Sequence, residues 1–265
     1  MFIAAPGGIW PIRAKNYGIL RSSQTYLCTL FTNGRPRAGF CYAMIADSIR
    51  QITTELDGRA RLVAVTKTKP VALLQEAYDA GCRLFGENKV QEMADKQPQL
   101  PADVQWHLIG HLQTNKVKYI APFVALIHSI DSLKLLQEVN KQAAKHNRVI
   151  DCLLQIHIAV EETKFGLSAE EAEALLQAPE LAGLHHIRLV GLMGLASNTD
   201  DQAQVRAEFR GLKQLYDKLA PMRTDNVVFS ELSMGMSGDY PLAVAEGSTL
   251  VRVGSAIFGA RDYAV

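Results

Sequence analysis

The chain is poor in the features that mark several protein classes. It has four cysteines in 265 residues, at positions 28, 41, 82 and 152, with no CxxC pair among them. That excludes a dense disulfide framework and fits reduced thiols in a cytosol-like compartment, so a cytoplasmic location is expected. No apolar run reaches the roughly 18 residues needed to span a bilayer. The formal net charge is only +1, so no global field favours nucleic acid or an anionic membrane as a partner. The remaining composition, with 48% hydrophobic and 21% charged residues, is that of an ordinary globular protein.

Acidic residues are missing altogether from residues 1–46, where Arg13, Lys15, Arg21, Arg35 and Arg37 are the charged positions. Proline, glycine and serine interrupt every apolar stretch there, and neither helical nor strand period is sustained. An organelle transit peptide, a disordered tail, and upstream sequence joined to a protein that begins at Met44 all fit this pattern. The last is the working expectation, because MIADSIRQITTEL starts an amphipathic helix at once. The expected organisation is thus an extension over 1–43 and one domain over 44–265.

From Met44 onward two patterns alternate. Short β-branched runs recur at 61–66, 83–86, 104–110, 125–130, 150–158, 187–193, 227–232 and 249–254. Segments of helical period lie between them. In 131–146, Leu136, Val139 and Ala143 share a stripe while Lys134, Glu138 and Lys141 face away. Pro70 stands where a first helical residue would be, and Ser168 with Glu171 forms a capping-box pattern. Alternating strands and helices imply parallel strands with crossover helices. Eight such units in about 220 residues predict a single closed (β/α)8 TIM barrel of the α/β class. The competing arrangement is a doubly wound open sheet. Against it, the turn after the first strand reads TKTKP, without the glycines of a dinucleotide fingerprint.

In such a barrel, chemistry gathers where strands end and loops begin. The first strand delivers Lys67, flanked by Thr66 and Thr68. A lysine leaving an apolar strand into a barrel mouth is partly desolvated, which favours the neutral amine as a nucleophile toward carbonyls. After the seventh and eighth strands come SMGMSGD (233–239) and GSAIFGAR (254–261), both rich in small residues. Loops after these two strands are the recurrent phosphate site of barrels, making Ser233, Ser237, Gly254 and Ser255 candidate phosphate ligands. Arg252 alternates with Val251 and Val253, so its side chain is expected inside the barrel. A buried guanidinium needs a partner: either a barrel carboxylate such as Glu87, or a heteroaromatic nitrogen. Lysine, phosphate loops and arginine together describe a way to hold pyridoxal 5′-phosphate (PLP). His107 and His111 lie at a strand end with no HExxH around them, so no metal is expected. Glu87 fits either a structural role or the polarising of a neighbour, and Met193 reads as packing.

Eight stretches in order carry a resemblance to a known family: AVTKTKP (64–70), FGENKVQE (85–92), WHLIGHLQTNK (106–116), HSIDS (128–132), KFGL (164–167), GLMGLA (191–196), SMGMSGDY (233–240) and VRVGSAIFGAR (251–261). The chain resembles the pyridoxal phosphate homeostasis proteins from about Met44 to Tyr263. The resemblance implies a fold like the barrel domain of alanine racemase (fold type III among PLP proteins), with Lys67 as the Schiff-base lysine. It further implies that Arg252 faces the pyridine nitrogen, that the two late loops hold the phosphate, and that Asn88 lies close to the cofactor. The HLIGHLQTNK segment would run along the cofactor's rim. Lys69 and Lys164 match basic positions of the family near the site.

Binding PLP does not make a catalyst. An arginine at the pyridine nitrogen keeps that nitrogen unprotonated, which weakens the ring as an electron sink. A racemase also needs an acid/base on each face of its substrate. The reading that follows is a carrier and buffer in intracellular PLP (vitamin B6) balance without robust catalysis. It would hand PLP to PLP-dependent apo-enzymes, as a monomer or weak homodimer. The alternatives are a PLP-dependent amino-acid racemase or lyase, and a phosphate-handling barrel without PLP, which would leave Lys67 unexplained.

Overall fold

The computed structural model describes residues 38–160 and 165–259, with side chains from Met44 onward. Its strands are β1 (Arg61–Val65), β2 (Leu84–Glu87), β3 (Gln105–Leu108), β4 (Val124–Ile130), β5 (Ile150–Ile156), β6 (Ile187–Gly194), β7 (Val227–Met236) and β8 (Leu250–Val253). The α-helices are α1 (Ala38–Leu56), α2 (Val71–Asp79), α3 (Val90–Lys96), α4 (Val117–Ile120), α5 (Leu133–Lys145), α6 (Ala169–Gln177), α7 (Gln202–Leu219), α8 (Tyr240–Ala245) and α9 (Ser255–Phe258). Every strand pairs in parallel with its sequence neighbour. β1 pairs with β8 from Arg61↔Leu250 to Ala64↔Val253, which closes the barrel and removes the open-sheet alternative.

The helices form where the sequence pattern places them. In α5 the buried face is Leu135, Leu136, Val139, Gln142 and Ala143, and the Ser132 hydroxyl caps the helix by accepting from Leu135 N. The Ser168–Glu171 capping box at α6 has both of its hydrogen bonds. Pro70 is the N-cap of α2 rather than its first helical residue. The helix expected from Met44 begins earlier, at Ala38. Its stripe Ile45, Ile49, Ile52 and Leu56 is buried, and the helix packs on the barrel's flank against α2, α8, α9 and β1. The reading of an extension over 1–43 falls largely outside the described residues.

The seventh strand departs most from its sequence pattern. Expected to end at Leu232, it runs on to Met236, so SMGM belongs to the strand and not to a loop. Ser233 pairs on both sides, with Met193 of β6 and Leu250 of β8, and after a register shift Met236 pairs again with Arg252 of β8. Gly235 makes this possible at φ 91°, a conformation that disfavours side chains. A Cβ there would also stand 2.5 Å from Ala243 Cβ on α8.

One apolar layer fills the space between strands and helices, with Phe85, Trp106 and Phe209 as its largest fully buried members. A second, smaller cluster lies inside the barrel: Val63, Leu84, Leu126, Leu153, Val190, Met193 and Leu250. Met193 is therefore packing, as its sequence context indicated. Among the described residues, no helix is long and apolar enough to cross a membrane.

Candidate functional site

At the C-terminal ends of the strands lies a cleft of about 380 Å³, within the size range of small-molecule sites. Lys67, Asn88, Ser237, Arg252, Gly254 and Ser255 line it, against an apolar wall of Val65, Ile109, Leu195 and Met236. A larger cavity at the opposite mouth is lined by side chains that already form ion pairs, Arg61 with Glu231 and Asp151 with Arg188. The upper cleft is the candidate site because its described lining combines an amine and small-residue loops at the C-terminal face of the barrel.

The turn that carries Lys67 is clamped on both sides. Thr66 is fully buried, its hydroxyl donating to Glu87 Oε1 at 2.6 Å and its carbonyl accepting from Lys96 Nζ at 2.8 Å. Thr68 adopts the left-handed region at φ 64°, which costs a β-branched residue energy. Its N–H is held by Glu92 Oε1 at 2.6 Å. Lys96 ties the two clamps together, donating to both Glu87 Oε1 and Glu92 Oε1 at 2.7 Å. Burial pushes the Glu87 carboxyl above its ordinary range even with Lys96 beside it, and Glu87 Oε2 has no hydrogen-bond partner. The role of Glu87 is thereby structural: it braces the lysine turn. It is not the partner of Arg252.

Arg252 does point into the barrel. Its Nη1 donates to Ser233 Oγ at 2.5 Å and its Nη2 to the Gly194 carbonyl at 2.9 Å. Burial lowers its pKa to about 10, which leaves it a cation at neutral pH. Ser233 itself is fully buried and does not line the cleft. Its hydroxyl serves Arg252 and His128, so the structure does not bring it to the other three candidate phosphate ligands. The physical reason is the length of β7, which places Ser233 mid-strand with its side chain inward.

Those three do come together. Ser237 Oγ accepts from Gly254 N at 3.2 Å and from Ala256 N at 3.5 Å, joining the loop after β7 to the start of α9. Lys69 reaches the same segment from β1, donating to the Phe258 carbonyl at 3.0 Å. Asn88 is set by a close approach of the next loop: a Cβ on Gly110 would stand 2.3 Å from the Asn88 carbonyl oxygen. His107 and His111 do not converge, since His107 is buried inside the barrel. His111 lies on the rim, stacked on Phe165 and 3.4 Å from Asp131. Lys164 lies outside the described residues.

Sequence reading missed Lys96, Glu92 and His128. Lys96 and Glu92 lie four apart on α3, the spacing of a solvated surface pair. Only the depth of α3 against β2 reveals that Lys96 is 6% exposed. His128 sits in a β-branched run, whose inward period alone was a signal of burial.

Comparison with known proteins gives a consistent result. The family model described as "Alanine racemase, N-terminal domain" matches residues 42–262. The pyridoxal phosphate homeostasis protein of Aquifex aeolicus is 41% identical over 205 residues, 77% of this chain and 88% of that one. The protein of the same name from Escherichia coli K12 is 38% identical over 229 residues, covering 83% and 95%. PipY of Synechococcus elongatus PCC7942, solved with PLP bound, superposes with a TM-score of 0.74 at 37% identity, covering 81% of this chain and all of that one. Alanine racemase from Bartonella henselae shares the fold at 17% identity and a TM-score of 0.62, with 61% of its own length covered.

Proposed function

Because the chain belongs to the pyridoxal phosphate homeostasis protein family, built on the alanine racemase N-terminal domain, we propose that it binds PLP through Lys67 and acts as a carrier and buffer of the cofactor. The observation that carries this reading is one cleft holding Lys67, Arg252 and the Ser237–Gly254–Ser255 loops together. The donor set fits the cofactor. Lys67 supplies the amine for its aldehyde, and Ser237, Ser255 and the backbone at Gly254 supply donors for its phosphate. Arg252 supplies a cation for its ring nitrogen, and Asn88 completes the rim. PLP itself brings a reactive aldehyde and an electron-accepting ring.

The same set argues for storage over turnover. Arg252 is cationic and doubly anchored, so a ring nitrogen facing it stays unprotonated. Among the described residues that line the cleft there is no Tyr, His, Cys, Asp or Glu. Lys67 and Lys69 are the lining amines, and Lys69 is engaged with Phe258. A racemase needs a second acid/base opposite the lysine, and the described lining supplies none. The recipients under this reading are PLP-dependent apo-enzymes, met by a cytoplasmic monomer or weak homodimer.

The test is the visible spectrum of the purified protein with PLP, followed by borohydride reduction and peptide mapping. A yellow species trapped on the peptide carrying Lys67, and lost in Lys67→Ala, is the expected result. A protein that stays colourless with PLP added overturns the reading. Racemisation or elimination with a panel of D- and L-amino acids would overturn the carrier half alone.

A further inference from the structure

The polar interior of the barrel continues below the cleft. Ser233 Oγ, which accepts from Arg252 Nη1, also lies 3.0 Å from His128 Nδ1. His128 Nε2 lies 3.0 Å from His107 Nδ1. All four residues are buried, at 4% exposure or less. They form a file from β8 through β7 and β4 to β3, across the inside of the barrel.

Valence fixes the direction of this file. A guanidinium only donates, so Ser233 Oγ is an acceptor toward Arg252. The hydroxyl then has one proton to place, and His128 Nδ1 is the acceptor at hand. If Nδ1 carried its own proton, a buried hydroxyl proton would lose its partner, at real cost. His128 is therefore protonated on Nε2, which donates to His107 Nδ1. His107 in turn keeps its proton on its own Nε2. That ring lines the cavity of about 500 Å³ at the opposite mouth, among Arg61, Gln105, Asp151, Arg188 and Glu231.

We propose that His128, acting through Ser233, is the positioning residue that aims Arg252 at the cofactor ring, and that its Nε2–H tautomer holds the guanidinium there. The proposal rests on the cleft being the PLP site. The guanidinium plane is fixed by two anchors at once, Ser233 Oγ and the Gly194 carbonyl. Removing the acceptor at His128 Nδ1 lets the hydroxyl turn away and leaves one anchor. Burial supports the assignment, since it keeps both imidazoles neutral and so keeps one acceptor nitrogen on each ring.

Two substitutions separate positioning from bulk packing. His128→Leu fills a similar space and offers Ser233 no acceptor. His128→Asn can present a carbonyl oxygen near the place of Nδ1. The expected result is a displaced visible band and about tenfold weaker PLP binding in His128→Leu, the scale of one hydrogen bond to a charged group. Both should return toward wild type in His128→Asn. Equal behaviour of the two variants in band and affinity overturns the proposal, even where both lose stability. Nitrogen-15 NMR of the imidazoles in ligand-free wild type is the independent arm. A proton on Nε2 of His128 is expected, and one on Nδ1 overturns the file's direction. If wild type takes up no PLP on Lys67, the positioning role falls with the site, while the NMR result still decides the tautomers.

Discussion

Lys96 Nζ and Glu87 Oε1 lie 2.7 Å apart in a buried pocket immediately behind the turn that carries Lys67. Neither residue lines the cleft, yet between them they hold Thr66 from both its hydroxyl and its carbonyl. The site's amine thus depends on an ion pair in the layer between β2 and α3.

Lys96→Met should be strongly destabilising, by about 3–5 kcal/mol, because it strands a buried carboxylate. Urea denaturation at neutral pH measures it, and Glu87→Gln in the same chain should recover much of the loss. The deficit should also shrink in acid. A carboxyl whose folded pKa is raised is least costly below its ordinary value of 4.5, and its cost grows as pH rises through the raised value. Removing Lys96 raises that value further. A deficit that stays constant from pH 7 to pH 4.5 would count against a charged Glu87 as its source.

The buried histidines set a second pH dependence. Burial pushes His107 down to about 3 and His128 well below its ordinary 6.5. Both are neutral in the fold and become protonated on unfolding in acid, so their stabilisation is complete above 6.5 and declines as pH falls below it. The expected slope is about 1.4 kcal/mol per pH unit for each histidine. His107→Asn keeps an acceptor for His128 and should remove about half of that slope between pH 6.5 and 5. Urea midpoints across this range decide it. An unchanged slope would mean that the acid sensitivity lies elsewhere.

How much of this was legible in the sequence follows from the range of each signal. Strand and helix periods are local, so the barrel could be read from eight alternating units, and the inward face of Arg252 from its alternation with Val251 and Val253. Lys67 was legible because a strand end in a barrel is a defined place. The end of β7 was not, because glycine and serine after Leu232 have the composition of a loop. Pairing of Ser233 with β6 and β8, and of Met236 with β8, keeps the stretch in the sheet. Lys96 was illegible for a related reason. Its charge predicts solvent, and only the third dimension supplies Glu87, Glu92 and the Thr66 carbonyl as partners.

Gly110→Ala should damage the site more than the fold. The added methyl would meet the Asn88 backbone oxygen at 2.3 Å, and Asn88 is one of the residues lining the cleft. Relieving the overlap costs about 1–3 kcal/mol. The displaced Asn88 should weaken PLP binding beyond what the loss of stability explains. A thermal melt beside a PLP titration separates the two effects. Full affinity with a lowered melting temperature would place Asn88 outside the binding surface.

The two serines that sequence reading grouped as phosphate ligands should behave differently. Ser237 is in the cleft and holds Gly254 N and Ala256 N, whereas Ser233 is buried under Arg252. Ser237→Ala should therefore weaken PLP by about 1 kcal/mol, one hydrogen bond's worth, and leave pyridoxal, which lacks the phosphate, nearly unaffected. Ser233→Ala should weaken both ligands alike, since it acts at the ring through Arg252, and should displace the visible band that Ser237→Ala leaves in place. Titrating each variant with PLP and with pyridoxal gives four affinities. The comparison that matters is the ratio of the two ligands within each variant. If Ser233→Ala lowers that ratio as much as Ser237→Ala does, then Ser233 contributes to phosphate binding despite its burial, and the division of labour drawn from β7 is wrong.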